Sequence, residues 1–158
     1  RLELRMERVS LRTVIESALE SSRPAIDAAQ HELSVRMPRE ELFVHGDSAR
    51  LSQVIGNLLV NAAKYTPVSG HITIETTTQD KQVSITVRDS GLGIPQNKLT
   101  DIFEMFSQIQ SPLDRTQGGL GIGLALVRRI VQMHGGVVYA ESPGLGLGST
   151  FTVRLPAA

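Results

Sequence analysis

The chain has 158 residues, 41% hydrophobic and only 4% aromatic, with no tryptophan, which is enough apolar material for one domain with an aliphatic core. Sixteen basic and 16 acidic side chains cancel, so nothing supports a nucleic-acid or anionic-membrane surface. Without cysteine there is no disulfide framework and no thiolate zinc site, and neither a membrane-spanning apolar run nor a signal-peptide pattern is present.

In chain order, Arg1 to Val9 is charged and loosely alternating, a lead-in strand or linker. A start at Arg1 rather than methionine suggests a piece of something longer. Ser10 stands at an N-cap position, and Leu11, Val14, Ile15, Ala18 and Leu19 follow at helical spacing. Pro24 predicts a kink or an end near it. Leu33, Val35 and Met37 alternate as in a strand, and Leu42 to Val44 is a second short apolar stretch. Asp47 stands where an N-cap belongs, ahead of a helical stripe of Leu51, Val54, Ile55, Leu58, Leu59 and Ala62. Pro67, Ser69 and Gly70 close that segment with turn chemistry.

Ile72 and Ile74 begin a strand, Gln79 to Lys81 turns, and Val83, Ile85 and Val87 return, which predicts an antiparallel hairpin. From Ser90 to Gly119 the pattern breaks down over a length usually reserved for lids and binding loops. A helix follows with Leu120, Leu124, Val127 and Val131 on one face, ending near Gly135-Gly136. Val137 to Ala140 and Phe151 to Leu155 are the last strands, joined by a glycine-rich turn from Gly144 to Gly148. Strands mixed with helices and at least one hairpin predict an α+β fold, with helices on one face of a mostly antiparallel sheet.

Three segments carry chemistry. Asp89 continues the inward phase of Val83, Ile85 and Val87, where a carboxylate is costly unless paired or hydrogen-bonded. Taken alone it is more simply an exposed aspartate capping the next turn. Gly91 and Gly93 shift the weighing, because glycine permits a sharp turn and close approach of a ligand. A carboxylate is also a good acceptor for the exocyclic amine of adenine. On the preceding helix Asn57, Asn61 and Lys64 share one face at i, i+4 and i+7. Two amide oxygens beside an ammonium suit magnesium and phosphate, although each residue singly reads better as part of a polar helix face. Third, Gly118, Gly119, Gly121 and Gly123 open a helix, where freed backbone amides form an anion site. This is neither a dinucleotide fingerprint, since no strand leads into it, nor a Walker A loop, since no Gly-Lys-Ser/Thr follows.

Together these segments resemble the catalytic, ATP-binding domain of sensor histidine kinases, within the GHKL group that includes the gyrase, Hsp90 and MutL ATPase domains. Asn57-Leu-Leu-Val-Asn61-Ala-Ala-Lys64-Tyr65-Thr66 resembles the N box and Asp89-Ser-Gly91-Leu-Gly93-Ile94 the G1 box. Ile102-Phe103-Glu104-Met105-Phe106 resembles the F box and Gly119 to Leu124 the G2 box, so four boxes stand in order over nearly the whole chain. The resemblance implies a Bergerat-type two-layer α/β sandwich: a mixed, mostly antiparallel sheet of about five strands, three main helices on one face, and a mobile ATP lid over residues 95–118. It implies a catalytic domain over residues 10–158, with residues 1–9 leading in from an absent dimerisation and phosphoacceptor domain.

Roles follow from the resemblance. Asp89 would bind the adenine amine, with Thr150 holding a water in that network, while Tyr65 and Ile94 would pack on the base. Asn61, assisted by Asn57, would ligate Mg2+, and Lys64 would contact phosphate. Phe103 and Phe106 would anchor the lid, and Arg115 within it would reach the γ-phosphate. Asn61, Lys64 and Arg115 are thus the expected catalytic residues. Gly91, Gly93, Gly119, Leu120, Gly121, Gly123 and Leu124 would line the nucleotide. Hydrolysing relatives carry a glutamate four residues before the metal-binding asparagine, and Asn57 stands there. An amide is no general base, so the site suits phosphate donation to another group rather than to water. Leu120 replaces a residue that often bears a hydroxyl, leaving phosphate contacts there to the backbone.

His31-Glu32-Leu33 only superficially resembles an H box, and His45, His71 and His134 have no motif around them. The phosphoacceptor histidine is therefore expected on an upstream helical dimerisation domain, with a response regulator receiver domain as the further partner. The resemblance also implies a cytoplasmic location, no direct membrane contact and a monomer. A hydrolysing conformational switch is disfavoured by Asn57, and a docking module without catalysis by the complete set of boxes.

Overall fold

The computed structural model describes residues 3–104 and 120–158. A five-stranded sheet in the order β2-β4-β5-β7-β6 is covered on one face by helices, and a second, two-stranded sheet pairs β1 with β3. The strands are β1 (Glu7–Ser10), β2 (Glu32–Arg36), β3 (Phe43–Gly46), β4 (His71–Gln79), β5 (Gln82–Asp89), β6 (Val137–Glu141) and β7 (Ser149–Pro156). The helices are α1 (Leu11–Ala28), α2 (Ser48–Tyr65) and α3 (Leu120–Met133). Only β2 and β4 run parallel in the large sheet; its other pairs are antiparallel.

The sheet's period of two separates core from solvent. Ile72 and Ile74 of β4, Val83, Ile85 and Val87 of β5, and Phe151, Val153 and Leu155 of β7 are all buried beneath the helices. The register places Asp89 opposite Ser149 and Val87 opposite Phe151, so Asp89 lies on that same inner face. Between β4 and β5 the two-residue turn has Asp80 at φ 54° and Lys81 at φ 63°, the left-handed pair of a type I′ hairpin.

Ser10 is the N-cap of α1 by position, but its hydroxyl bonds Glu41 Oε2 at 2.6 Å instead of a helix amide. Helix α1 also neither stops nor breaks at Pro24. Pro24 and Glu20 both lie on the exposed side, where water solvates the carbonyl that proline leaves unbonded, and Ile26 beyond them is fully buried and anchors the last turn. Asp47 does cap α2: its Oδ1 accepts the Arg50 N–H at 3.0 Å, and the predicted stripe from Leu51 to Ala62 is buried to its end. Helix α3 closes with Gly135 at φ 75°, the Gly135 N–H on Gln132 O and the Gly136 N–H on Val131 O, a Schellman stop. The charged segment before α1 is tied in as well, through β1, through buried Val9, and through the Arg5 N–H on Asp47 Oδ2 at 2.8 Å.

Candidate functional site

Asp89 ends β5 and is only 7% exposed. Oδ1 accepts the Gly91 N–H at 2.8 Å and Oδ2 accepts the Ser149 hydroxyl at 2.8 Å. Burial pushes this carboxyl above the ordinary carboxylate range, and the bonds from Ser149 and Gly91 pull it partly back. A carboxylate has about four acceptor positions. These bonds, with a further one from the Ser149 backbone N–H, come from neutral donors, orient Asp89 and leave it able to accept one more N–H.

Ser149, not Thr150, is the hydroxyl beside Asp89. Thr150 pairs with Arg88 on the outer face of the sheet and takes a long 3.4 Å bond from its Nε, so it cannot share a network with a carboxylate on the inner face. Alternation carried back from Phe151 and Val153 identifies Ser149 from sequence alone.

The glycines around Asp89 are required by chain-to-chain packing. A Cβ on Gly91 would collide with the Tyr65 carbonyl oxygen, one on Gly93 with that of Gly144, and one on Gly148 with that of Asp89. Gly93 and Gly148 also sit at φ 74° and 77°. The segment after β5 therefore lies directly on the end of α2, with the Leu92 N–H on Tyr65 O at 3.0 Å, and on the β6–β7 connection, with the Gly146 N–H on Leu92 O at 2.7 Å. Ser142 clasps the same junction: its hydroxyl donates to Gly148 O at 2.7 Å and accepts the Ile94 N–H at 3.0 Å.

On α2 the predicted polar face is graded by burial. Asn57 is half-buried, Asn61 is only 8% exposed, Lys64 is exposed and Tyr65 is half-buried at the last turn. Asn61 Oδ1 is buried with no hydrogen-bond partner. Leaving such an acceptor unpaired costs on the order of 1–3 kcal/mol. A magnesium ion, which takes hard oxygen ligands and completes its shell with phosphate and water, fits this atom. No cluster of three or more His, Asp or Glu side chains suited to a metal occurs among the described residues.

Residues Pro95–Glu104, the start of the expected lid, form 3-10 turns at Gln96–Lys98 and Asp101–Phe103. Ile102 and Phe103 are buried, and Phe103 meets Phe151 edge-on with ring centroids 6.0 Å apart. Arg128 of α3 reaches Glu104 at 3.4 Å. Gly123 has open space where a Cβ would stand, with no described atom within 4 Å. Leu124, expected against the nucleotide, is 2% exposed and faces the core, so only its backbone is available to a ligand. Phe106, Arg115 and Gly119, together with the side-chain environments of Leu120 and Gly121, lie outside the described residues.

Neither buried histidine is presented as a phosphoacceptor. His134 Nε2 accepts the Asp47 N–H at 3.0 Å while Nδ1 donates to Ile130 O at 2.8 Å, which fixes its tautomer. His31 Nε2 lies between the carbonyls of Thr66 and Pro67. Exposed His71 pairs with Glu32 at 2.7 Å. Among the described residues no helix is long and apolar enough to cross a membrane.

Residues 46–158 match the model of the histidine kinase-, DNA gyrase B- and HSP90-like ATPase family. Sensor histidine kinase WalK of Bacillus subtilis is 37% identical over 130 residues, 80% of this chain and 21% of that protein. Adaptive-response sensory kinase SasA of Synechococcus sp. (strain JA-3-3Ab) is 38% identical over 156 residues, 98% of this chain and 41% of that protein. The chain thus spans well under half of either relative. Among solved structures, a mycobacterial sensor histidine kinase, MprB, superposes with a TM-score of 0.82 at 29% identity, covering 97% of this chain and 98% of that one. Full-length ShkA in complex with AMPPNP gives 0.82 at 28% identity, covering 99% of this chain and 32% of that one. Histidine kinase ThkA in complex with the response regulator protein TrrA gives 0.81 at 25%, covering 98% and 42%.

Proposed function

Because the chain belongs to the histidine kinase-, DNA gyrase B- and HSP90-like ATPase family, as the catalytic domain of a sensor histidine kinase, we propose that it binds Mg-ATP and donates the γ-phosphate to a histidine on a separate helical dimerisation domain. The observation that carries this reading is the Asp89 carboxylate. It is buried, oriented by neutral donors from Gly91 and Ser149, and keeps capacity for one more N–H. An adenine amine supplies that N–H. ShkA, of the same fold, is known with an ATP analogue bound.

Asn61 Oδ1 would hold the metal, with Asn57 one turn earlier assisting and Lys64 set against phosphate. Bound magnesium would neutralise charge on the phosphate oxygens. Tyr65 and Ile94, on the two segments joined at the Leu92–Tyr65 bond, would pack on the base, and the α3 N-terminus at Leu120 to Gly123 would offer backbone amides to phosphate. Arg115 is kept as the arm toward the γ-phosphate. Asn57 cannot take a proton from water, so the residues position and donate rather than hydrolyse. The further partner is a response regulator receiver domain, as ThkA has in TrrA, and the setting is cytoplasmic, where ATP is available.

The test mixes the chain with γ-labelled ATP and Mg2+, alone and with a histidine-bearing dimerisation domain. Acid-labile label on the added domain only, lost with Asn61→Ala, is the expected result. Steady release of free phosphate by the isolated chain, abolished by the same substitution, would favour a hydrolysing switch instead.

A further inference from the structure

His31 follows α1 directly and is 8% exposed. Its Nε2 is 2.9 Å from Thr66 O and 3.0 Å from Pro67 O. Two carbonyls can only accept, so Nε2 carries the proton and donates to both, while Nδ1 is buried with no partner. The two flanking loops are further laced by the Ser69 N–H on Ala29 O at 3.0 Å and the Glu32 N–H on Gly70 O at 2.9 Å. The ring is thus the buried side chain in a seam otherwise made of backbone bonds and the exposed Glu32–His71 pair.

What the ring holds is the turn that leaves α2. Thr66 and Pro67 follow Tyr65, whose carbonyl receives the Leu92 N–H and so sets the segment after Asp89. Thr66 is 5% exposed, and its Oγ1 is buried without a partner. The position a Gly91 Cβ would occupy is 2.9 Å from that hydroxyl and 2.9 Å from Asp89 Oδ1. The turn clamped by His31 therefore faces Asp89 itself. A histidine needed only to fill the core would not require both carbonyls of the turn that abuts the ligand carboxylate.

We propose that His31 is a positioning residue for the adenine end of the nucleotide site, acting through the Thr66 and Pro67 carbonyls on the α2 exit and hence on the Asp89 loop. This rests on the ATP-binding reading above. The ring touches no substrate; it fixes where Tyr65, Thr66 and Asp89 stand relative to one another.

The test measures ATP affinity by calorimetry on the 158-residue chain, unaltered and as His31→Leu, His31→Gln and His31→Asn, at a temperature where circular dichroism shows each folded. Glutamine places an amide N–H near the Nε2 position; asparagine falls one bond short. His31→Leu and His31→Asn should weaken ATP binding about tenfold, whereas His31→Gln should stay within about threefold of wild type. In the two weakened variants the Leu92 amide should exchange hydrogen faster while the amides of β4 and β5 stay protected. If the leucine variant does not fold, the glutamine–asparagine pair carries the comparison. Equal ATP affinity in folded variants, whatever their melting temperatures, would overturn the proposal and leave His31 a core residue. No ATP binding by the unaltered chain would overturn the nucleotide reading first, and this inference with it.

Discussion

Asp47 and Asp89 sit near opposite ends of α2 and are each 7% exposed, but the Asp89 carboxyl lies deeper in the protein, and the two answer to different demands. Asp47 belongs to the fold. It takes the Arg5 N–H and the Arg50 N–H, and these bonds, the Arg5 one foremost, hold its carboxyl below the ordinary range. Asp89 is held by donors from Ser149 and Gly91 as well, but burial outweighs them and its carboxyl rises instead. The charged form is stabilised at one end of the helix and strained at the other. A carboxylate whose charge costs stability where it stands is a candidate functional group, and the adenine amine proposed above would be its partner.

The contrast can be broken most sharply with Asp89→Asn. It should weaken ATP binding about a hundredfold, the loss of a hydrogen bond to a charged group. Its unfolding midpoint at neutral pH should not fall, because a buried charge is removed. A melting temperature lowered as far as in an Asp47 variant would make Asp89 a structural residue. Gly91→Ala should damage both properties, since its Cβ collides with the Tyr65 carbonyl and pushes the Asp89 loop off α2; a measured cost of about 1–3 kcal/mol is expected. An alanine tolerated without loss of either would show that the two segments need not touch. Asp47→Ala should cost about 1 kcal/mol, with ATP affinity unchanged within about twofold. An affinity loss as large as that of Asp89→Asn would erase the distinction.

The smallest effect is in pH. Asp47 is lowered in the fold, so its stabilisation is complete above its unfolded value of 3.8 and is lost as pH falls through the folded value. Asp89 is raised, so its ionisation costs stability as pH rises from 3.8 through its folded value. Asp89→Asn should therefore gain on wild type as pH is raised through that upper window, and Asp47→Asn should lose less than wild type on acidification below 3.8. Denaturant titrations from pH 3 to 7 read both slopes, on the order of a kcal/mol or less each.

Much of the fold was legible because burial writes periods into the chain. The 3.6-residue stripe of α2 and the two-residue alternation of β5 predicted both elements, and with them the inward phase of Asp89. Four boxes in order then supplied the family and the nucleotide hypothesis. Local signals did worse where tertiary contacts decide. Ser10 looked like a cap, but Glu41 competes for its hydroxyl. Pro24 looked like a stop, but solvent and Ile26 carry the helix past it. Thr150 came from the family resemblance, although one residue of strand phase puts Ser149, not Thr150, on the face of Asp89. The glycines after Asp89 looked like room for a ligand, and it is backbone oxygens that fill the space. His31 showed in the sequence only a superficial H-box likeness: the role proposed for it comes from carbonyls 35 and 36 residues away.

The most direct test of Asp89 as the adenine contact compares ATP with inosine triphosphate, which carries a carbonyl in place of the exocyclic amine. Dissociation constants for both, with Mg2+, on the unaltered chain and on Asp89→Asn give four numbers and one ratio of ratios. Wild type should prefer ATP by about a hundredfold, and the asparagine, able to donate to a carbonyl, should erase or invert that preference. An ATP preference identical in the two proteins would contradict the assignment and place the base elsewhere.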